Sequence, residues 1–327
     1  MYINGASCIS PLNSFHEEIP FKDERPLDFR LNCQEPDYLE WIDIRSIRRM
    51  SRILRMGMAS ALKALKEAEV PIPDAILTGT AFGCLEDTGI FLSQMIQQKE
   101  IALNPTPFIQ STHNTVGSQI ALSLKCYGYN QTYVQRAFSF ENALRDASML
   151  LLEHPDFNLL VGGIDELTDY SFVLLKRLGF CRKGYPLGEG SAFFVLSNRK
   201  GKQTFSRLEK QQFHFSFESE FSFASWLDTT LKDWGLGKKE IDVVLFGGEK
   251  KQAAQAFEKN TPLIFYKDWC GAYPTAGAFA MWLASFLLKM KNEKKILPSQ
   301  YLPDRVERIL VYHNEHNYHS LLLIESC

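Results

Sequence analysis

"YVQRAFSFENALRDASMLLLEHPDFNLLVGGIDE", residues 133–166, reads as a strand, a sharp turn at Ala137-Phe138-Ser139, an amphipathic helix and a second strand. A strand-to-helix turn is where α/β enzymes often mount a nucleophile, because the helix N-terminus stabilises negative charge developing there. Here a phenylalanine stands at the elbow. Phe138 offers neither a nucleophile nor a proton.

Working outward, Tyr2 to Ile9 reads as a short strand, and the polar, proline-broken stretch after it as loop through about residue 40. Ile47 to Glu69 carries apolar residues around much of the helical circumference, which predicts a helix buried on several sides. A strand from Asp74 ends in the small residues of "GTAFG". A proline-broken loop is expected at Asn104 to Phe108, and "STHNTVGSQIALSLKCYG" as a turn leading into a helix that closes near Gly128. Ser191 to Ser197 is a strand, and "NRKGKQ" reads as the connection between an N-terminal half, residues 1–200, and a C-terminal half, residues 201–327, of one unit. The second half repeats the logic of the first: "WLDTTLKDWGLGKKEIDVVLFGG" has the same helix, loop and strand order as "ALKALKEAEVPIPDAILTGT". Two similar α/β halves packed in layers are expected.

A chain of 327 residues with a hydrophobic fraction of 45%, a charged fraction of 23% and a formal net charge of −2 is an ordinary globular composition, with ample material for a core. Nothing in the overall charge favours nucleic acid or a membrane surface. The start lacks a signal peptide's cationic flank and apolar run, and no run is long enough to span a bilayer, so the expectation is a cytoplasmic protein. Seven cysteines (Cys8, Cys33, Cys84, Cys126, Cys181, Cys270, Cys327) are scattered without a CxxC pair, which suggests neither a disulfide framework nor zinc. No cofactor is implied.

The ordered set "GTAFG", "STHNTVGSQIAL", "RAFSFENA", "VGGIDE", "PLGEGSAFFVLS", "DVVLFGG" and "KDWCGAYPTAGA", with a final strand pair, resembles the β-ketoacyl synthases over nearly the whole chain. The resemblance implies the thiolase-like fold in an αβαβα layering. Active members use an elbow Cys and two His residues for decarboxylative condensation. In this sequence the Cys position falls on Phe138, the first His on Gly247 and the second on Ala272, while Lys267, which precedes that His, remains. A phenyl ring cannot attack a thioester, and without an imidazole there is nothing to decarboxylate a malonyl unit.

The loops after "VGGIDE" and after "DVVLFGG" are short, and "VYHNEHNYHSLLLI" replaces the family's closing glycine- and phenylalanine-rich loop. Loss of chemistry with retention of the fold resembles the chain length factors, inert subunits that complete the acyl tunnel of an active β-ketoacyl-ACP synthase and limit product length. "GTAFGCLEDT", "STHNT" and "RRMSR" look most like those of aryl polyene and flexirubin-type pigment pathways. The resemblance then implies that Phe82 is a stop at the end of the partner's tunnel, with Cys84 and Leu85 shaping the wall. It also implies that Ser111 to Leu122, including His113, Asn114 and Val116, forms part of a heterodimer interface, and that an acyl carrier protein is met through the complex.

Rival readings exist for several residues. His313, Glu315, His316 and His319 form a cluster, but on a strand-turn-strand their spacing does not converge on a metal. Cys84 and Cys270 as displaced nucleophiles stand against the commoner buried structural Cys, and His113 as a base against a turn or interface histidine. Phe82 has a rival role as core packing between the halves. Arg48, Arg49, Arg52 and Arg55 form a basic run suited to an acidic carrier, or simply a solvated helix face. Two other functions compete with the silent partner: a weak decarboxylase or acyltransferase that uses a displaced residue, and a self-associating acyl-binding protein.

Overall fold

The computed structural model describes residues 1–17, 29–180, 184–217, 221–290, 303 and 305–327; Cys181 lies outside them. In chain order the first half contains β1 (Tyr2–Ile9), α1 (Ile44–Ile47), α2 (Arg52–Glu67), β2 (Ala75–Gly79), α3 (Leu85–Gln97), α4 (Pro105–Gln110) and α5 (Thr115–Leu124). It continues with β3 (Tyr129–Tyr133), α6 (Ser139–Glu153), β4 (Leu159–Asp165), α7 (Asp169–Arg177) and β5 (Gly190–Ser197). The second half contains β6 (Ser206–Phe215), α8 (Phe223–Asp233), β7 (Val243–Gly247), α9 (Lys250–Ala256), β8 (Leu263–Ile264), α10 (Lys267–Cys270), α11 (Ala276–Lys289), β9 (Arg308–Glu315) and β10 (Tyr318–Glu325).

The strands run in the order β3-β2-β4-β5-β1-β6-β10-β9-β7-β8. β1 and β6 share only the pairs Tyr2–Arg207 and Ile3–Ser206, so this ribbon is two five-stranded sheets meeting at one corner. Within each, the first strand pairs antiparallel with the fifth, the fifth antiparallel with the fourth, the fourth parallel with the second and the second parallel with the third. The repeat suggested by the helix-loop-strand order is thus a repeat of the whole topology.

Alternation along the strands produces three cores. In β2, Leu77 faces the same core as Phe140, and Ile76 the opposite one; in β7, Val243 and Leu245 face that central core and Val244 and Phe246 an outer one. Both faces are covered, which is why these strands read as continuous apolar runs. Helices α2 and α5 cover the first sheet, α8 and α9 the second, and α6 and α11 lie between the sheets. The layering is αβαβα. Residues 276–288 of α11 are all buried, as the middle layer demands, whereas α6 buries a stripe containing Phe140, Ala143, Leu144, Ala147 and Leu151.

Three local expectations are revised. The strand before the elbow is Tyr129–Tyr133, so Tyr133 ends it rather than begins it, and a short 3-10 turn at Arg136–Phe138 leads into α6. Asn104–Phe108 is not a loop: Asn104 caps the first turn of α4 and Pro105 occupies its first position, where a missing N–H costs nothing. The helix expected from Ile47 is broken, with α1 ending at Ile47 and α2 starting at Arg52. Arg48 and Arg49 therefore stand in the turn between them.

Arg52 leaves the solvated arginine run altogether. Its guanidinium forks onto the buried Glu189 carboxylate, with both N···O distances 2.6 Å, and also reaches Glu35. The same carboxylate accepts from the backbone N–H groups of Cys33 and Leu167, tying α2, the segment after residue 29 and the end of β4 to the start of β5.

Candidate functional site

A cavity of about 230 Å³ opens where the C-terminal ends of β4 and β7 meet the start of α11. Gly247, Ala272 and Lys267 line it, as do Phe82, Glu166 and Tyr185. Three of the four positions singled out for family chemistry are therefore together. Phe138 is the exception.

The Phe138 side chain is buried against β6 and β10, edge-on to Tyr318 at 4.9 Å between ring centres and tilted on Phe213 at 6.0 Å. Its ring fills the space under the elbow and does not line the cavity. Arg136, with φ of 50°, takes the left-handed backbone that sharpens the turn.

Gly247 is a glycine for a local reason. A Cβ there would lie 2.2 Å from the Tyr266 hydroxyl oxygen, so any side chain, an imidazole included, collides with that ring. Tyr266 is fully buried and its hydroxyl lies 2.7 Å from His313 Nδ1, while His313 Nε2 lies 3.0 Å from the Pro274 carbonyl. A carbonyl only accepts, so Nε2 carries the proton and Nδ1 accepts from tyrosine. Burial, reinforced by the Lys267 charge, holds His313 well below the usual imidazole range and keeps it neutral. This histidine is beside Gly247 across the β7–β9 register, but it is sealed behind Tyr266.

The remaining polar groups are largely committed. Lys267 Nζ donates to the Asn314 carbonyl at 2.6 Å, and the Tyr185 hydroxyl to the Gly248 carbonyl at 2.8 Å. Glu166 accepts from the Glu86 backbone N–H at 2.9 Å, and burial pushes its carboxyl up to about 7. Behind the cavity, Glu141 on the first turn of α6 is fully buried with one oxygen accepting from Ser320 Oγ at 3.0 Å; burial pushes this carboxyl up to about 8. Glu166 is legible in "VGGIDE" as the residue following a strand end, but nothing in the sequence signals that Tyr266 and His313 meet.

Phe82 is 37% exposed, so core packing between the halves does not describe it; its backbone N–H is fixed on Asp165 at 3.1 Å. Leu85 is half-buried, but Cys84 lies wholly inside the core beneath α2 and has no surface to present as a tunnel wall. Its burial also pushes the thiol well above its ordinary range, against a nucleophilic role; the same holds for Cys270. His113 and Asn114 are exposed and Ser111 is half-buried, whereas Val116 is buried in the chain's own core. Any contact made by the 111–122 segment therefore falls to its exposed residues. In the β9–β10 hairpin, His313 bonds Tyr266 while His319 Nδ1 lies 2.8 Å from the Tyr312 hydroxyl, and no group of metal-ligating side chains forms among the described residues. None of the helices described is long and apolar enough to cross a membrane.

No family model matches the sequence, and no curated protein matches it. Solved structures do. A type II polyketide acyl-carrier protein in complex with its hexaketide-bound ketosynthase aligns over 100% of this chain and 99% of that chain, with a TM-score of 0.81 and 15% identity. The ishigamide ketosynthase/chain length factor aligns over 100% and 98%, at 0.76 and 16%. A ketosynthase in complex with its chain length factor from Xenorhabdus doucetiae aligns over 100% and 98%, at 0.74 and 15%. The fold is the thiolase-like fold of ketosynthases and chain length factors.

Two measurements check this description. Gly247→Ala should cost roughly 1–3 kcal/mol in urea unfolding because of the Tyr266 hydroxyl, and Gly247→Ala/Tyr266→Phe should recover part of that loss in a double-mutant cycle. The second concerns Glu141. Its folded value lies above the free value of 4.5, so its stabilising contribution is complete below about pH 4.5 and is lost as pH rises through about 8. Between pH 5 and 9 the parent should lose stability more steeply than Glu141→Gln, by up to about 1.4 kcal/mol per pH unit. Glu67 and Glu166, both pushed up to about 7 by burial, contribute the same trend to both proteins and cancel.

Proposed function

We propose that this chain is a catalytically silent ketosynthase homologue that acts as a chain length factor. It pairs with an active β-ketoacyl-ACP synthase and completes that subunit's acyl tunnel, with its two halves, residues 1–200 and 201–327, acting as one unit in the cytoplasm. The observation that carries this reading is the composition of the cavity at the meeting of the strand ends. Gly247 and Ala272 supply no imidazole, His313 is sealed behind Tyr266, His316 reaches the cavity only from the β9–β10 turn, and the elbow residue is a buried phenyl ring. With a phenyl ring at the elbow, condensation has no nucleophile to carry the acyl chain.

The surface supports pairing. Among the described residues, every large hydrophobic side chain with high exposure except Phe217 belongs to the first half. Ile90, Ile96, Ile101, Phe108 and Ile109 stand on or between α3 and α4, and Tyr170 with Leu174 on α7. β3 is an end strand of the sheet and is largely exposed, leaving one edge of backbone donors and acceptors without a neighbouring strand. Exposed apolar side chains concentrated in one half are what a partner subunit would cover. Two of the similar structures are ketosynthases described together with a chain length factor, and a third is a ketosynthase bound to its acyl-carrier protein. By analogy the product belongs to polyketide, aryl polyene or fatty-acid-type synthesis.

Co-expression with active ketosynthases from the same genome, followed by size-exclusion chromatography, tests the assignment. A stable heterodimer is expected; a chain that stays monomeric and indifferent to all of them overturns it. Phe138→Cys purified alone should give no condensation product by mass spectrometry. Phe82 is the proposed stop: in the intact complex, Phe82→Ala should shift products toward longer chains while the first condensation keeps its rate, because extension past the ring otherwise requires overpacking of roughly 1–3 kcal/mol.

A further inference from the structure

The arginines around the α1–α2 turn remain unused by the reading above. Arg45, Arg48 and Arg49 are exposed, and none of the three makes an ion pair with a described residue, in contrast to Arg52. Arg55 is held toward them by a bond from its Nε to the Met50 carbonyl. In a chain of net charge −2, this is a local concentration of positive charge without partners.

The arginines border two adjoining clefts. A larger one of about 650 Å³ has Arg45 and Arg49 beside an apolar wall that includes Trp41, Met58 and Leu122. A second, of about 520 Å³, has Arg48, Arg49 and Arg55. Arg49, Met50 and Gln110 line both, so the clefts adjoin across these residues. Three carboxylates share these walls. Asp87 is buried, whereas Asp43 and Glu86 are exposed; Asp43 is turned onto its own helix, accepting from Ser46 N and Oγ.

We infer that this double cleft binds a soluble organic phosphate, with the phosphate or pyrophosphate between Arg48, Arg49 and Arg55 and an apolar or planar remainder against the Trp41 wall. Guanidinium forks suit phosphate oxygens in two-bond geometry, and several of them around one anion favour a multiply charged group over a single carboxylate. The larger cleft falls in the size range of small-molecule sites. The clefts border the proposed pairing surface at Ile90 and Leu122, so the inference concerns the chain before it pairs.

Calorimetric titration of the purified full chain with inorganic pyrophosphate, adenosine 5′-diphosphate and adenosine tests it. Saturable binding of pyrophosphate is expected, tighter binding of the nucleotide, and none of adenosine, with affinity falling as salt is raised. Arg48→Glu/Arg49→Glu should weaken the nucleotide by about tenfold or more, while Arg207→Glu, on the far side of the sheet and paired with Glu209, should leave it unchanged. Circular dichroism confirms that the variants fold. Equal binding by the parent and the double variant overturns the inference. So does a chain that ignores both phosphates yet captures an acidic carrier protein through the same arginines, which would make the patch a protein-docking surface.

Discussion

The carboxylate of Asp165 is the point on which the arrangement of the two halves turns. It sits at the end of β4, fully buried, and one oxygen accepts from Thr80 Oγ1 at 3.0 Å, Ala81 N at 2.8 Å and Phe82 N at 3.1 Å. The other accepts from Thr275 Oγ1 at 2.9 Å and Thr275 N at 3.2 Å. The first set belongs to the loop after β2 and the second to the start of α11, so one side chain joins the first half to the central helix of the second. Burial pushes its carboxyl up to about 6, against the opposing pull of those donors. The α11 N-terminus adds its own favourable field. The loop bearing Phe82 therefore has a fixed origin, and the exposure of that ring is a set position rather than a stray one.

The internal two-fold repeat places matching glycines at the ends of matching strands. β2 and β7 are equivalent strands, and both end in a glycine because something crosses them closely. At Gly79 a Cβ would lie 2.5 Å from the backbone at the start of α6, and at Gly247 the obstacle is the Tyr266 hydroxyl. The first contact brings the elbow helix tight against its sheet. The second leaves no room for a side chain at the position that the resemblance assigns to an imidazole. Restoring one residue type at a time therefore meets packing already built around its absence.

Much of this architecture could be read from the chain itself, because burial on both faces leaves a strong mark. "AILTG", "LLVGGID", "VVLFG" and the apolar circumference of residues 276–288 name their own layers. The elbow was legible as a change of period from strand to helix. Boundaries set by single residues were harder: Pro105 reads as a breaker unless Asn104 is seen capping the turn, and the interruption between Ile47 and Arg52 hides inside one helical pattern. The site was legible only as absences. Phe138, Gly247 and Ala272 are named by position, whereas the Tyr266–His313 bond and the five bonds of Asp165 join residues distant in sequence and leave no periodic trace. Direction was equally invisible, which is why Val116 and Cys84, plausible as surface residues, point into the core.

The distribution of polar burial follows from the same division. The central core holds Glu141, His313, Tyr266 and Ser320 within one connected region between α6, α11 and the β9–β10 hairpin, each without access to solvent. A carboxyl pushed up to about 8 by burial and a histidine kept neutral let Glu141 and His313 meet their partners there largely uncharged at physiological pH. Such contacts fix how α6 and α11 are oriented relative to both sheets, and those two helices set the elbow and the Asp165 acceptor site. Many of the apolar residues exposed on the first half stand apart from these contacts, on α3, α4 and α7, although α6 itself exposes Met149 and Leu152 at its far end. The loop of Phe82 is thus held by the Asp165 carboxylate at the edge of the middle layer, while most of the exposed apolar side chains of the first half take no part in the central polar contacts.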